Sequence, residues 1–401
     1  MPLGIYISVP FCRTKCTYCN FASDVFSRAV FERYVDRVCP DIGDASQTAE
    51  KMGGLIEREV GSIYLGGGTP TVLDPDQVQR MFAAVRAQFD VARDAEITVE
   101  CAPGTLTPEM LDTLLRCGVN RVSLGVQSFV DAEAASVGRL HKRSTVVDDI
   151  ARLRASGITN INVDLIAGLP HQTEESWKHS LAETIAVQAP HVSVYMLEVD
   201  DDSRLGRELI AGGTRYHAHF VPDEEAVADF YGIACETLEA ARIAQYEISN
   251  FARAGFESLH NLKYWTRQPY LGFGVDAHSM LVTSSPMSPA VRFATPDSLE
   301  KYIAAAPLEK TPVSAAQALE EVFFLGLRLN RGVNLREVTG QFGDHALASV
   351  QATITEKIDQ DLIRQEGYII RLTARGRLLS NEVFQAFLSA NVTAEAQSTG
   401  V

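Results

Sequence analysis

The chain has 401 residues, more than one average domain, so we expect one large domain and a smaller one. Hydrophobic residues make up 46% of it and charged residues 22%, values typical of soluble globular proteins. The formal net charge of -15 argues against nucleic acid as the main partner, because nucleic-acid-binding surfaces are basic.

No segment of the sequence predicts export or membrane insertion. The N-terminus lacks a basic stretch followed by an apolar one, and no apolar run reaches the ~18 residues of a membrane-spanning helix. The chain has 7 cysteines, too few for a disulfide scaffold at this length. Four are isolated, and we expect buried free thiols there, with an additional metal ligand as the alternative for one: Cys39, Cys101, Cys117 and Cys235. We expect a cytoplasmic location, where thiols stay reduced.

Apolar strands alternate with helices through the first half of the chain. The predicted strands cover residues 5–9, 63–65, 97–100, 122–126, 161–165 and 192–195. Helix start signals lie between them, such as Thr107 as N-cap followed by Pro108. This alternation predicts an α/β fold with a parallel sheet curled by right-handed crossovers.

The second half of the chain is less regular. Residues 200–213 are predicted to form a solvated loop, and 245–251 a short strand. Pro and Ser residues from Ser284 onward predict a linker. Helices followed by two short strands then predict a smaller C-terminal α+β domain, similar to a winged helix and used for packing rather than DNA reading. The predicted domains are 1–283 and 284–390, followed by a polar tail, 391–401.

Three cysteines, Cys12, Cys16 and Cys19, directly follow the first predicted strand. So short a loop turns their sulfurs toward one point, and soft thiolates bind iron–sulfur clusters, zinc or copper(I). Closed zinc sites and electron-transfer clusters take four protein ligands, so three leave one metal position free for chemistry. The alternatives are cysteines packed as small hydrophobes, and zinc completed by a distant His or Cys.

Polar residues stand at the ends of several predicted strands. Glu100, Gln127 and Asp164 lie at or just after the C-terminal ends of apolar strands, the edge where α/β barrels place their sites. The run Gly-Gly-Gly-Thr-Pro (66–70) lets a ligand approach the backbone. It lacks the Lys-Ser/Thr ending of a phosphate-binding loop, which disfavours a nucleoside triphosphate. The alternative for each polar residue is a hydrogen bond to its own loop.

The spacing C-x3-C-x2-C with the aromatic Tyr18 resembles the signature of the radical S-adenosylmethionine (SAM) superfamily. In that superfamily the cysteines hold a [4Fe-4S] cluster, and SAM chelates its unique iron. The order of the later motifs resembles the branch that contains anaerobic coproporphyrinogen III dehydrogenase and the HemW-type haem chaperones. This resemblance covers the chain except its tail, and it implies a partial (β/α)6 TIM-like barrel of the radical SAM type.

The resemblance also implies residues that bind SAM. The segment 66–70, with Gly67, Gly68 and Thr69, matches the one that lies against the SAM amino group. The aromatic residues that match those beside SAM and the cluster are Tyr6 and Tyr18. The side chains that match those around the methionine and ribose are Glu100, Gln127, Arg139 and Asp164. Two departures are Cys101-Ala102, where the family has Ala-Asn, and Asp276, where the family has a small residue.

Several features favour the HemW-type branch. The dehydrogenase branch has a further cysteine at the position of Phe21 and a longer segment before its first cysteine than the one ahead of Cys12. Residues 260–265 (His-Asn-Leu-Lys-Tyr-Trp) match the HNxxYW signature that is associated with haem binding. Imidazole is the commonest axial haem ligand, so His260 is the first candidate and His278 the second. The alternative is an interior His260 with Trp265 in the core.

The resemblance therefore implies a haem chaperone that passes haem to an acceptor protein and carries a SAM-ligated [4Fe-4S] cluster. A respiratory protein is one candidate acceptor, and the sequence leaves open a homodimer and covalent haem attachment. The alternative is an oxygen-independent coproporphyrinogen III dehydrogenase, or another radical SAM enzyme acting on a tetrapyrrole. We expect the reduced protein to cleave SAM, and we expect no coproporphyrinogen III dehydrogenase activity.

Overall fold

The computed structural model describes residues 2–388, so the predicted tail, 391–401, lies outside the described residues. The strands in chain order are β1 (Leu3–Val9), β2 (Glu59–Gly67), β3 (Asp90–Cys101), β4 (Arg121–Gln127), β5 (Asn160–Ala167), β6 (His191–Met196), β7 (Ala244–Gln245), β8 (Asn250–Ala252), β9 (Tyr270–Gly274), β10 (His278–Ser285), β11 (Ser288–Ala294), β12 (Glu309–Val313), β13 (Val333–Asn334), β14 (Ile363–Glu366) and β15 (Ile369–Leu372).

Helices connect and cover these strands. They are α1 (Arg28–Gly43), α2 (Ala45–Met52), α3 (Pro75–Gln88), α4 (Pro108–Arg116), α5 (Asp131–Ser136), α6 (Arg143–Ala155), α7 (Glu174–Ala186), α8 (Arg204–Ala211), α9 (Glu224–Ala240), α10 (Leu259–Trp265), α11 (Leu299–Ile303), α12 (Ala315–Gly326), α13 (Leu335–Phe342), α14 (Asp344–Asp359), α15 (Ala374–Leu378) and α16 (380–388). Within residues 2–388, none of these helices combines the length and apolar character needed to cross a membrane.

The first six strands form a parallel sheet in chain order, from β1 to β6. All six strands predicted from the sequence are present, and the α/β prediction is confirmed. β9 adds to the free edge of β1 in parallel, and β10, β11 and β12 continue the sheet as antiparallel strands. Side chains from β2, β3, β4, β5 and β6 line one cavity, so the sheet curls into a partial barrel.

Alternating residue types explain why this barrel has a polar interior. In β5, Ile161, Val163 and Leu165 are buried in the main hydrophobic core, whereas Asn162 and Asp164 between them line the cavity. Successive side chains of a strand point to opposite faces, so the apolar set packs outward against the helices. The other set faces inward and supplies polar groups to the cavity.

Helix caps fix the turns between strands and helices as the sequence predicts. The hydroxyl of Thr107 accepts a hydrogen bond from the Met110 amide at 3.2 Å, which caps α4. Asp74 forms a capping box with Gln77 at the start of α3, directly before Pro75. These caps hold the loops that end at the C-terminal edge of the sheet.

Two local predictions are wrong. The segment 200–213 contains the helix α8, which Ser203 caps by accepting from the Gly206 amide at 2.9 Å, and which left-handed Gly212 ends. The linker predicted from Ser284 is instead part of the sheet, because β10 runs on to Ser285 and pairs with β11. Pro and Ser serve there as hairpin residues, so the large sheet continues to the end of β12.

The chain after β12 forms a second hydrophobic cluster beside the barrel. A small sheet in the order β13-β15-β14 packs with helices α12 to α14. Phe323 and Phe387 stack at 4.7 Å in its centre. Three helices followed by an antiparallel hairpin have the element order of the predicted winged-helix-like unit. The predicted domain division at 284 stays a prediction, and the large sheet extends past that position to β12, which ends at Val313.

Candidate functional site

A cavity of about 570 Å³ opens at the C-terminal ends of the parallel strands and extends into the barrel. It brings together most of the residues that the sequence singles out. Those that line it are Cys12, Cys16, Tyr18, Cys19, Gly67, Gly68, Thr69, Glu100, Gln127, Arg139 and Asp164. Residues that are far apart in the chain therefore share one space, as expected for the carboxyl ends of parallel strands.

The cysteine loop is held by its backbone and by one lysine. The Cys12 amide donates to the Asp24 carbonyl at 3.0 Å, and Lys15 Nζ donates to the carbonyls of Phe21 and Ser23 at 2.7 and 2.6 Å. All three thiols are free and half-buried. Within residues 2–388, no three His, Cys, Asp or Glu side chains are arranged to hold a single metal ion.

The glycine run fits closely against the end of β1. The Gly68 amide donates to the Val9 carbonyl at 2.8 Å, and a Cβ at Gly68 would lie 2.5 Å from the Phe11 carbonyl oxygen. Gly67 has a φ of +100°, which side chains other than glycine rarely adopt. The neighbouring strand therefore requires these glycines, and their backbone is also exposed to the cavity.

Two carboxylates are fixed inside the cavity. Glu100 accepts from the Tyr64 hydroxyl at 2.9 Å and from the Gly67 amide at 3.1 Å. Asp164 accepts from the Ser123 hydroxyl at 3.0 Å and from the Asn162 amide group at 2.7 Å. Burial, and secondarily the charge of Asp164, raises the pKa of Glu100 to about 7. Burial also raises the pKa of Asp164. Both are held rigidly enough to accept hydrogen bonds from hydroxyl groups of a ligand.

Arg139 and Gln127 lie beside the cysteine loop. Gln127 ends β4 with a φ of 69°, a left-handed conformation that is unusual for a residue other than glycine. An Arg139 nitrogen donates to the Tyr18 hydroxyl at 3.3 Å, whereas its buried Nε has no hydrogen-bond partner. A buried guanidinium with a free donor is suited to a carboxylate ligand.

Further polar residues line the inner part of the cavity, and sequence reasoning did not single them out. They are Tyr64, Arg121, Ser123, Asn162, Ser193 and Asn250. The signal that could have found several of them is the alternation of polar and apolar residues within the strands, for example Asn-Ile-Asn-Val-Asp in 160–164. Such alternation on a strand buried on both sides indicates a polar interior.

A second cavity of about 390 Å³ adjoins the first, and both are lined by Gly67 and Gly68. Aromatic residues form much of its wall: Tyr6, Phe21, Tyr264 and Tyr270. Asp276 and His278 complete it, with His278 Nε2 at 3.8 Å from the Asp276 carboxylate. The His278 side chain is 71% exposed. Tyr6 and the departure Asp276 thus lie in this neighbouring space, and the other departure, Cys101, lines the large cavity.

His260 is not among the residues that line either cavity. It is 1% exposed, and both ring nitrogens are engaged, Nδ1 with the Ser62 hydroxyl at 2.9 Å and Nε2 with the Tyr264 hydroxyl at 2.8 Å. Burial lowers its pKa to about 3, so the imidazole is neutral. The structure therefore places His260 as an interior histidine, the alternative considered from the sequence.

The other residues of 260–265 point in different directions. Asn261 lines the large cavity and Tyr264 the second one. Trp265 lies under the guanidinium of Arg328 at 4.2 Å, a cation–π contact with the C-terminal part of the chain. The segment thus joins both cavities to the unit that follows the barrel.

Comparisons with known proteins agree with this geometry. The family model of the radical SAM superfamily matches residues 6–183, and that of the HemN C-terminal domain matches 313–379. The Heme chaperone HemW of Lactococcus lactis is 34% identical over 391 residues, covering 96% of this chain and 97% of that protein. The chain belongs to the HemW family. Heme chaperone HemW of Bacillus subtilis, 33% identical over 390 residues, covers 96% and 98% respectively.

Membership in the HemW family confirms the resemblance inferred from the motifs. Among solved structures, coproporphyrinogen III oxidase (HemN) from Escherichia coli, described as a radical SAM enzyme, matches with a TM-score of 0.81 at 23% identity. The match covers 96% of this chain and 90% of that one, and it confirms the fold. The radical SAM model implies a [4Fe-4S] cluster and SAM as cofactors. Free thiols, fixed carboxylates and a guanidinium with one free donor share this cavity, and they fit both groups.

Proposed function

We propose that this protein is a haem chaperone, which binds haem and passes it to an acceptor protein. The observation that carries the proposal is its match over nearly the whole chain to two proteins named Heme chaperone HemW. We place this activity in the cytoplasm, and respiratory proteins are the first acceptors to assay. The oligomeric state of the haem-loaded protein is to be measured in the same haem-transfer assay.

We further propose that Cys12, Cys16 and Cys19 hold the [4Fe-4S] cluster. SAM would contact Gly67, Gly68, Thr69, Glu100, Gln127, Arg139 and Asp164, with Tyr6 and Tyr18 beside it. When bound, cluster and SAM supply one-electron chemistry. The carboxylates of this set would accept hydrogen bonds from ribose hydroxyls, and Arg139 would pair with the methionine carboxylate. The shared cavity and the unpaired Arg139 Nε support this assignment.

For haem, we propose His278 as the axial ligand in place of His260. An axial ligand needs a free ring nitrogen, and the His278 side chain is 71% exposed beside an aromatic-walled cavity. His260 would first have to break hydrogen bonds to Ser62 and Tyr264. We assign His260 the task of holding Tyr264, which lines that cavity.

Haem titration of three variants tests this assignment. His278→Ala should shift the Soret maximum and change the axial-ligand signature in electron paramagnetic resonance. His260→Ala should keep the wild-type ligand signature but unfold more easily, by about 1–3 kcal/mol, because two buried hydroxyls lose their partner. His179→Ala, on an exposed face of α7, is the control for haem adhering to surfaces. A lost signature in His260→Ala with unchanged stability would reverse the two roles, and no haem binding by wild type would refute the chaperone proposal.

The alternative function is oxygen-independent coproporphyrinogen III dehydrogenation. The likeness to HemN concerns the fold, and Phe21, 67% exposed, stands where that branch has a cysteine. We expect the reconstituted, reduced protein to cleave SAM without converting coproporphyrinogen III. Robust conversion to protoporphyrinogen IX in an anaerobic assay would make the enzyme the better proposal.

A further inference from the structure

Arg121 is a buried cation without a matching partner. It begins β4, lines the large cavity and is 1% exposed. Its Nε has no hydrogen-bond partner, and across residues 2–388 its one ion-pair contact is a long one, to Glu96 at 3.9 Å. Burying a guanidinium in this way is costly unless its donors find an acceptor.

The carboxylates nearby are already occupied by other donors. Both oxygens of Glu96 accept backbone amides at 3.0 Å, from Leu259 and His260 at the start of α10. The oxygens of the two cavity carboxylates are likewise bound, those of Glu100 by Tyr64 and Gly67, and those of Asp164 by Ser123 and Asn162. The protein therefore surrounds Arg121 with negative charge, but only the Glu96 carboxylate approaches it, at 3.9 Å.

The residues level with Arg121 on the adjacent strands are also unpaired. Arg121 is in register with Thr98 on β3 and with Asn160 on β5. Thr98 lies two residues from Glu100, and Asn160 two residues from Asn162, so both share the inward face of their strands. Thr98 Oγ1 and Asn160 Oδ1 are buried atoms without hydrogen-bond partners. One layer of the barrel thus carries three unpaired polar groups on three neighbouring strands.

This layer is distant from the rim that holds the cysteines. Arg121 is at the start of β4 and Gln127 at its end, and six residues of strand span about 20 Å. The guanidinium has a planar fork of donors that matches a carboxylate, whereas the nearby Glu100 and Asp164 disfavour a doubly charged phosphate. We propose that Arg121 forms the floor of a carboxylate-binding subsite that lies deeper in the barrel than the rim that holds the cysteines.

The carboxylate that the proposed function offers is a haem propionate, so this inference rests on the proposed function. The methionine carboxylate of SAM is already assigned to Arg139 at the rim, so the SAM pair of probes serves as the control. The test uses the full-length, anaerobically reconstituted protein and four probes: haem, haem dimethyl ester, SAM and decarboxylated SAM. Affinities come from Soret titration for the haem pair and from equilibrium dialysis for the SAM pair. Arg121→Met removes the charge, Arg121→Lys keeps it without the fork, and Arg28→Met on the surface is the matched control.

We expect wild type and Arg28→Met to prefer haem over haem dimethyl ester at least tenfold. Arg121→Met should lose that preference and Arg121→Lys should lose part of it, with unchanged iron content. The preference for SAM over decarboxylated SAM, which Arg139 is assigned to provide, should be the same in all four proteins. If Arg121→Met does not fold, the same comparison is made with Arg121→Lys.

An unchanged haem preference in the Arg121 variants, no preference by wild type within the haem pair, or a loss within the SAM pair overturns the subsite. If wild type fails to bind haem at all, the chaperone proposal fails, whereas equal binding of haem and its dimethyl ester refutes the subsite alone. A preference lost within the haem pair alone supports both proposals together. The two failures are therefore distinguishable in one set of titrations.

Discussion

The barrel cavity and the helix that carries His260 are both rich in polar side chains but use them differently. In the cavity, Arg121 and Arg139 each keep a buried nitrogen without a partner. At His260 both ring nitrogens are hydrogen-bonded, and its backbone amide is capped by Glu96. A ligand supplies missing partners in the first region and has to break existing bonds in the second. Residue types indicate which chemistry a site can support, and hydrogen-bond donors and acceptors without partners indicate where a ligand binds.

Trp265 is an exception within the second region. Its Nε1 is buried and has no hydrogen-bond partner, although Arg328 covers the ring face. At Trp265, therefore, the second region also contains a buried donor without a hydrogen-bond partner. The predictions below test whether the unpaired groups of the cavity affect ligands more than they affect the fold.

The largest expected effect comes from the cysteine loop. Replacing Cys12, Cys16 or Cys19 by Ala should remove the cluster, from about four irons per chain to none, together with its charge-transfer absorption. The melting temperature of the iron-free protein should change little, because these free thiols are only half-buried. Anaerobic reconstitution followed by iron analysis and absorption spectroscopy measures the loss.

The control for this loss is Cys39→Ala, which removes another half-buried thiol packed beside the core. It should retain the full iron content. If Cys39, Cys101, Cys117 or Cys235 proves equally necessary, four thiolates bind the cluster and no metal position remains for SAM.

A smaller effect is expected at Asp164. Asp164→Ala should weaken SAM binding by about 1–3 kcal/mol, or roughly 5- to 150-fold, the worth of one or two hydrogen bonds to a buried group. Asp164→Asn keeps the side-chain volume and should cause a smaller loss. Equilibrium dialysis with the reconstituted protein measures both, with Asp112→Ala on the exposed face of α4 as control. Wild-type affinity in Asp164→Ala would remove this carboxylate from the SAM site.

The sequence predicts the barrel well because its signals are local. The positions of the strands, the Thr107 cap and the glycines of 66–70 depend on signals within a few residues, and the structure has all of them, although β2 and β3 are longer than predicted. The helix α8 was missed because its start signal, Ser203, follows a run of aspartates that suggests a loop. The hairpin at Ser285 was missed because Pro and Ser suit both linkers and edge strands.

In the candidate site, too, the residues with local sequence signals are predicted and those that depend on long-range pairing are not. The cysteine spacing and the strand-end residues predict the rim of the large cavity, since parallel strands bring their ends together. The pairing of His260 with Ser62 spans 198 residues, and no local pattern indicates it. The same holds for Arg121, whose unpaired state depends on three neighbouring strands. Long-range pairing is what the sequence alone leaves undetermined.

The smallest expected effect is a pH dependence due to Glu100. Burial raises its pKa from 4.5 to about 7, so the folded protein holds this proton more tightly than the unfolded chain does. The stabilisation is complete below about pH 4.5 and is lost as the pH rises toward 7. Buried histidines such as His141 and His260 have lowered pKa values and change stability in the opposite direction.

The difference between two proteins therefore isolates Glu100. The free energy of unfolding of wild type minus that of Glu100→Gln, from urea titrations of the cluster-free protein, should fall between pH 4.5 and 7 and be level above. Glu109→Gln, on the exposed surface of α4, should give a difference that changes little over the same range. A level difference for Glu100→Gln would mean that the hydrogen bonds from Tyr64 and Gly67 offset the cost of burying the charged carboxylate, so that folding does not shift the pKa of Glu100.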